Sequence, residues 1–345
     1  MEYEVKRFLL CGALMLSTIM LLTGCDDSRQ QIDINGQTMG TYYSVKLIKQ
    51  EGLPSAEVIQ KEIDKRLELV NDQMSTYRPD SELSQFNQQQ SSQPFKVSAA
   101  TAKVISEALR ISKLSNGAYD VTVGPLVNLW SFGPEARPES TPTDKEIASR
   151  KAEIGYQHLA VLSGNKLVKD LPNLYVDLSS IAKGYGVDVV ADYLKDDLHV
   201  KDFMVDVGGE VRLQGKNRSD VPWRIAIEKP VVSERAVQDI IQAGDMAIAT
   251  SGDYRNYFEE DGVRYSHLIN PQTGKPIANH VVSVTVIAPS CMTADAYATT
   301  FSVMGEEESI VLANKEKLPV MLIVKTKDGF VEYKSDTFEQ YVVKK

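Results

Sequence analysis

Residues 281–300 read VVSVTVIAPSCMTADAYATT, and this stretch decides the fold class. Its opening run, Val281 to Ala288, is almost wholly apolar and β-branched, as expected of a buried central strand. Thr293 then reads as the cap of a helix that carries Asp295 and Thr299. Downstream, Pro319 to Val324 is another buried strand.

Working outward toward the N-terminus, Met246 to Ala249, Trp223 to Ile227 and Phe203 to Val207 read as strands, the last ending at Gly208-Gly209. Leu174 to Leu178 reads as a strand running into Ser179-Ser180 and a helix with Ile181, Tyr185, Val189 and Leu194. Thr143 and Glu146 form a capping-box pair behind a Pro/Glu-rich surface loop at Gly133 to Pro142. Ser98 opens a helix with Val104, Ile105, Ala108, Leu109 and Ile111 inward, and Asn116-Gly117 closes it as a left-handed cap. Gln85 to Gln93 reads as a polar loop. Ser55 caps a helix whose Ile59, Ile63, Leu67 and Val70 keep helical spacing. Ile32 to Ile48 reads as two strands joined at Asn35-Gly36. No fixed-period repeat and no interdomain linker interrupts the chain. Helices and strands mix without strict alternation, which implies an α+β fold with mixed, largely antiparallel sheets in one compact unit.

The chain has 345 residues, 43% hydrophobic and 25% charged, with a net charge of −9 and pI near 5.2. That is a globular composition. The acidic balance argues against non-specific nucleic-acid binding, which needs basic surface. The three cysteines cannot build a disulfide scaffold.

The N-terminus reads as an address. Lys6 and Arg7 precede an apolar run, Phe8 to Leu22, too short to span a bilayer comfortably. Leu22-Thr23-Gly24-Cys25 resembles a bacterial lipobox, in which the cysteine thiol takes the lipid. Residues 1–24 are then a signal peptide and 25–31 a lipidated, solvated tether. Asp26 resembles an inner-membrane retention signal. Cys11 leaves with the signal, Cys25 carries lipid, and Cys291 stays alone as a packing residue.

Phosphate-binding, dinucleotide-binding, zinc-protease and serine-hydrolase motifs are all absent from the sequence. What remains is a set of corners rich in Gly and small polar residues, where backbone amides can approach a ligand. These corners and their surroundings carry a family resemblance. Thr38-Met39-Gly40-Thr41, Gly117-Ala118-Tyr119-Asp120-Val121-Thr122-Val123-Gly124-Pro125-Leu126 and Val176-Asp177-Leu178-Ser179-Ser180-Ile181-Ala182-Lys183-Gly184-Tyr185 resemble the ApbE family of FAD:protein FMN transferases. So do Val207-Gly208-Gly209, Thr250-Ser251-Gly252-Asp253-Tyr254-Arg255-Asn256-Tyr257, Ser266-His267-Leu268-Ile269-Asn270-Pro271-Gln272-Thr273-Gly274 and Asp295 to Thr299.

The resemblance implies an ApbE-like, T-fold-like catalytic unit over residues 32–345. FAD is then a substrate: its pyrophosphate is cleaved, AMP leaves, and FMN is joined through its phosphate to a Thr or Ser hydroxyl. The acceptors it implies are exported flavinylated redox proteins, such as subunits of sodium-pumping NADH:quinone reductase. It also implies a place on the periplasmic face of the inner membrane, through the lipid anchor. A hydrolase yielding FMN and AMP, and a non-catalytic flavin-binding lipoprotein, are the rival expectations.

Each candidate residue has a plainer alternative. Asp295 and Thr299 share a helix face and, with a backbone carbonyl, suit Mg²⁺, although Asp295 also suits the first turn of a helix. The resemblance makes them metal ligands together with the Ser180 carbonyl; Ala298 stands where some relatives carry an acid. It makes Met39, Tyr77, Ala118, Tyr119, Asp120, Asp177, Lys183 and Ile269 FAD contacts. By chemistry alone Asp177 is also a helix cap, Lys183 a solvated helix residue, and Tyr77 and Tyr119 packing aromatics. His267 is the candidate general base, since imidazole titrates near neutrality; a lone histidine is otherwise structural.

Overall fold

The structure is a computed structural model that describes residues 29–132, 141–230, 236–252, 257–260 and 263–344. The signal segment, Cys25, most of the loop at Gly133 to Pro142, and Asp253 to Asn256 of the 250–257 corner lie outside the described residues.

The chain opens with β1 (Gln31–Thr38) and β2 (Thr41–Ile48). The turn between them is Met39-Gly40, both at positive φ, and not Asn35-Gly36. Gly36 instead sits inside β1, where a β-carbon would lie 2.4 Å from the Tyr43 ring. Its missing side chain makes room for that buried aromatic. The ordered fold also starts earlier than a solvated tether through residue 31 implies: Gln31 is already in β1, and Arg29 is ion-paired with Asp202 at 2.7 Å.

Helix α1 (Ala56–Met74) is capped by Ser55 and buries Ile59, Ile63, Leu67 and Val70, as its spacing predicts. The polar Gln-rich stretch is in part helical: α2 (Glu82–Gln88) is capped by Ser81 and anchored by buried Phe86. α3 (Ala99–Leu114) ends at Asn116-Gly117, both left-handed. α4 (Gly124–Leu129) and α5 (Asp144–Lys151) follow, the latter with the Thr143–Glu146 capping box in place. A small sheet orders β3 (Phe95–Lys96), β5 (Lys166–Lys169) and β4 (Leu159–Leu162).

Leu174 to Leu178 is extended but joins no sheet. The Asn87 side chain takes the place of a neighbouring strand, accepting from Val176 N–H and donating to Val176 C=O, both at 2.8 Å. That leaves the segment free to run into α6 (Ala182–Asp192).

The main sheet has eight strands: β1, β2, β6 (Phe203–Val207), β7 (Glu210–Gln214), β10 (Ala247–Gly252), β15 (Val281–Ala288), β16 (Val320–Thr326) and β17 (Gly329–Lys334), in that spatial order. Every neighbouring pair is antiparallel. All eight residues of β15 are buried because both faces are covered. Val284 and Val286 join the core beneath α7 (Cys291–Met304), while Val282 and Ile287 pack with Trp223 and Phe338 on the other face. Ser290, not Thr293, caps α7; Thr293 lies within the first turn, and its N–H donates to the Ser290 hydroxyl. The hairpin of β8 (Ile225–Glu228) and β9 (Val237–Ile241) shields that second face, and two short ladders, β11 (Tyr257–Glu260) with β12 (Val263–Ser266) and β13 (Ile269–Asn270) with β14 (Lys275–Pro276), lie between β10 and β15 in the chain. The fold is thus α+β, built on one large antiparallel sheet. Among the described residues, no helix is long and apolar enough to cross a membrane.

Candidate active site

A cavity of about 370 Å³ lies where β6 and β10 end and β7 begins, lined there by Gly208, Glu210 and Gly252. Helices α6 and α7 supply its floor. They cross so closely that a β-carbon on Gly184 would lie 2.3 Å from the Cys291 carbonyl oxygen. Only glycine permits that approach, and it lets Gly184 N–H donate to Asp295 Oδ2 at 2.9 Å.

One turn along α6, Asp188 receives the start of α7. Its Oδ1 accepts from Cys291 N–H at 2.9 Å; its Oδ2 accepts from Met292 N–H at 3.0 Å and the Ser290 hydroxyl at 2.7 Å. Arg212 pairs with the same carboxylate at 2.5 Å. The unpaired amides of a helix N-terminus are therefore satisfied by a carboxylate from the neighbouring helix. This clamp fixes the height of Asp295 and Thr299, one turn apart on α7, against Lys183 on α6.

Asp295 is 5% exposed, and burial pushes its carboxyl above the ordinary range, against the pull of Lys183. Lys183 Nζ reaches Glu210 Oε1 at 2.6 Å. Burial alone would lower the lysine, but Asp295 and Glu210 offset it, so the amine is held protonated above its usual range. Glu210 is pushed up to about 8, by burial first and by Asp295 next, and its Oε2 is buried with no hydrogen-bond partner.

Among the described residues, Asp120, Asp177, Glu210 and Asp295 line the cavity, against one lysine. This surplus of acid, three of the four buried, together with the orphaned Oε2, fits a bound cation. The Asp295 carboxylate, the Thr299 hydroxyl and a backbone carbonyl at Ser180 are hard oxygen donors of the kind Mg²⁺ takes. Among the described residues, no group of three or more His, Cys, Asp and Glu could hold a metal. A cation here would thus complete its shell with water or substrate oxygens, as Mg²⁺ usually does. Ala298 is buried and adds no donor.

The rim is built differently. Tyr77, just past the end of α1, is 71% exposed over the cavity mouth. Tyr119 is buried, with its hydroxyl 3.0 Å from Ser180 Oγ, and burial raises its pKa. Ala118 lies beside it. His267 also lines the cavity, its ring edge-on to Phe132 with 6.4 Å between centroids. Ile269 is buried, packing with Trp130 and Leu126.

Two aspartates have internal partners. Asp120 Oδ1 accepts from Thr122 N–H and its hydroxyl, at 2.8 and 2.7 Å, and Oδ2 from Tyr156 N–H at 2.9 Å. Its carboxylate knots the loop that presents Ala118 and Tyr119 to the cavity. Asp177 Oδ1 accepts from Ser179 N–H at 2.8 Å, turning the chain toward α6, and burial raises its carboxyl.

The structure therefore brings together Tyr77, Ala118, Tyr119, Asp120, Asp177, Ser180, Lys183, His267, Ile269, Asp295 and Thr299. Met39 is not among the cavity-lining residues. Its thioether packs against Gly186 and Leu67, between two apolar clusters. Sequence reasoning missed Glu210, Asp188 and the role of Gly184. An acid directly after Gly208-Gly209 at the head of an apolar strand, and an acid between buried Val187 and Val190, were the available signals.

Known proteins resemble this chain over nearly its whole length. A protein of Vibrio cholerae serotype O1 named FAD:protein FMN transferase is 59% identical over 329 residues, covering 95% of this chain and 98% of its own. One of the same name from Haemophilus influenzae is 47% identical over 339 residues, covering 96% and 97%. The solved structure of the flavin transferase ApbE from Vibrio cholerae superposes with a TM-score of 0.85 at 59% identity, covering 91% of this chain and 99% of that one. The sequence model of the ApbE family matches residues 39–322, and the chain belongs to that family.

Proposed function

We propose that this chain moves the FMN moiety of FAD onto a threonine or serine hydroxyl of a target protein and releases AMP. The observation that carries the proposal is the meeting, in one cavity, of an exposed tyrosine, a histidine, and a protonated lysine beside the Asp295–Thr299 pair. The names of the relatives support it.

Tyr77 offers a face on which the flavin ring stacks at the mouth. Lys183 meets the diphosphate as a fixed positive charge, held in place by Glu210. Asp295, Thr299 and the Ser180 carbonyl would hold Mg²⁺, which supplies charge neutralisation to the diphosphate and to departing AMP. His267 takes the proton from the acceptor hydroxyl as that oxygen attacks the FMN phosphorus. The P–O bond to AMP breaks as the new phosphoester forms.

The proposal extends to location and partners. The apolar run Phe8 to Leu22 and the order Leu22-Thr23-Gly24-Cys25 support lipidation of Cys25. That puts the enzyme on the periplasmic face of the inner membrane, beside exported flavinylated proteins such as subunits of sodium-pumping NADH:quinone reductase.

The test is to mix purified protein, FAD, Mg²⁺ and an acceptor domain, then weigh the acceptor. A mass gain of one FMN, with one AMP released for each, is expected. FMN and AMP appearing beside an unlabelled acceptor would instead establish a pyrophosphatase. Intact FAD after long incubation would establish a binding protein.

A further inference from the structure

We infer that the docking of Arg29 fixes how the enzyme stands on its membrane: the sheet end that carries Arg29 faces the lipid, and the cavity opens at the far end. The inference rests on lipidation of Cys25, proposed above.

Arg29 is strapped to the loop after β7. Its N–H donates to Arg218 C=O at 2.9 Å; Nη1 pairs with Asp202 at 2.7 Å, and Nη2 donates to Asn217 C=O at 2.6 Å. Gln30 C=O accepts from Lys49 N–H at 2.8 Å, so the strap continues directly into β1. Only four peptide steps separate Cys25 from Arg29, and they reach about 14 Å at full stretch. A lipid on Cys25 therefore holds this end of the sheet close to the headgroups.

The register places the cavity at the opposite end. β1 starts beside Arg29 and runs to Thr38, and Gly208, Glu210 and Gly252 line the cavity from that far end. Eight strand residues span about 26 Å. The fitting partner is then a folded extramembrane domain that presents its acceptor hydroxyl well above the bilayer, not a segment lying on the lipid.

The experiment uses the full-length lipidated protein on phosphatidylethanolamine/phosphatidylglycerol vesicles with an energy-acceptor dye on the headgroups. A donor dye is placed at Lys216→Cys, beside the strap, or at Lys327→Cys, in the β16–β17 turn at the cavity end; Cys291 is buried and does not compete. Transfer from position 216 should exceed that from 327 roughly twofold or more, given the strand length between them. Equal transfer, or the reverse order, overturns the orientation. Failure to co-sediment with vesicles overturns the lipid reading instead. Inserting about 20 Gly/Ser residues after Asp27 adds about 25 Å of slack and should erase the difference. An unchanged difference would mean that something other than the short strap orients the molecule, and the inference falls.

Discussion

The floor and the rim of the cavity solve different problems. On the floor, the acids Asp295, Glu210 and Asp188 are buried between two helices and a strand, with half-buried Lys183 among them, and each is pinned by a named partner. On the rim, Tyr77 is open to solvent and His267 leans edge-on against Phe132. In the reaction proposed above, phosphorus–oxygen bonds change on the floor, where charge must not relax, and the rim receives a flat ring and an incoming protein, which needs surface and access. The contrast predicts that floor substitutions abolish turnover or unfold the protein, while rim substitutions separate binding from chemistry.

The largest effect should come from Asp295→Ala. With its carboxylate gone, AMP release from FAD should fall roughly 10³-fold, with circular dichroism unchanged. Wild-type turnover would remove Asp295 from the chemistry. His267→Ala should cut transfer to acceptor by roughly 10²-fold or more while FAD binding, followed by flavin fluorescence, stays intact. Full transfer by this variant would reduce the rim to a binding surface.

Next come the supports of the floor. Gly184→Ala drives a methyl into the Cys291 carbonyl and should destabilise the fold by about 2–3 kcal/mol in urea melts. Asp188→Ala strands two α7 amides and Arg212, and should cost a similar amount, about 3 kcal/mol. If Asp188→Ala melts like wild type, the cross-helix clamp is not what holds α7 in place.

How much of this was legible beforehand follows from the physics of each part. β15 could be read because a strand covered on both faces has no polar residues to disguise it. The caps at Ser55, Ser98 and Thr143 could be read because capping is a local hydrogen bond. The β1–β2 turn was misplaced because Gly36 serves Tyr43 across the hairpin, a reason invisible along the chain. Leu174 to Leu178 looked like a strand because it is extended and apolar; that its partner is the Asn87 side chain is a tertiary fact. Most cavity-lining residues were reached through family resemblance, since Asp177 alone reads equally well as a cap. Glu210 and Asp188 were missed because a buried acid announces itself only once its partners are known.

A smaller effect lies behind the rim. Lys169 is fully buried, and its amine donates to Asn87 C=O at 3.1 Å and Leu174 C=O at 3.0 Å, bracing the segment that carries Asp177. Burial pulls its pKa down to about 8. Between that value and the unfolded lysine range, the unfolded chain binds a proton that the native one does not. Native stability should therefore rise as pH climbs from about 8 to about 10.4, by up to about 3 kcal/mol. Urea melts of wild type and Lys169→Met at pH 7.5 and 10 check this. The wild type should gain on the variant at the higher pH, and parallel behaviour would mean that the buried amine is not the group that titrates.

The smallest effect tests the rim most directly. Tyr77 is exposed and braces nothing in the core, so Tyr77→Ala should leave the melting temperature alone. Losing a stacking face for one ring costs about 1–2 kcal/mol, which corresponds to roughly a tenfold rise in KM for FAD. With the phosphorus chemistry on the floor, as proposed, kcat should hardly move. A fall in kcat with unchanged KM would mean that the ring contact matters in the transition state rather than in the ground state. The division between a binding rim and a reacting floor would then have to be redrawn around Tyr77.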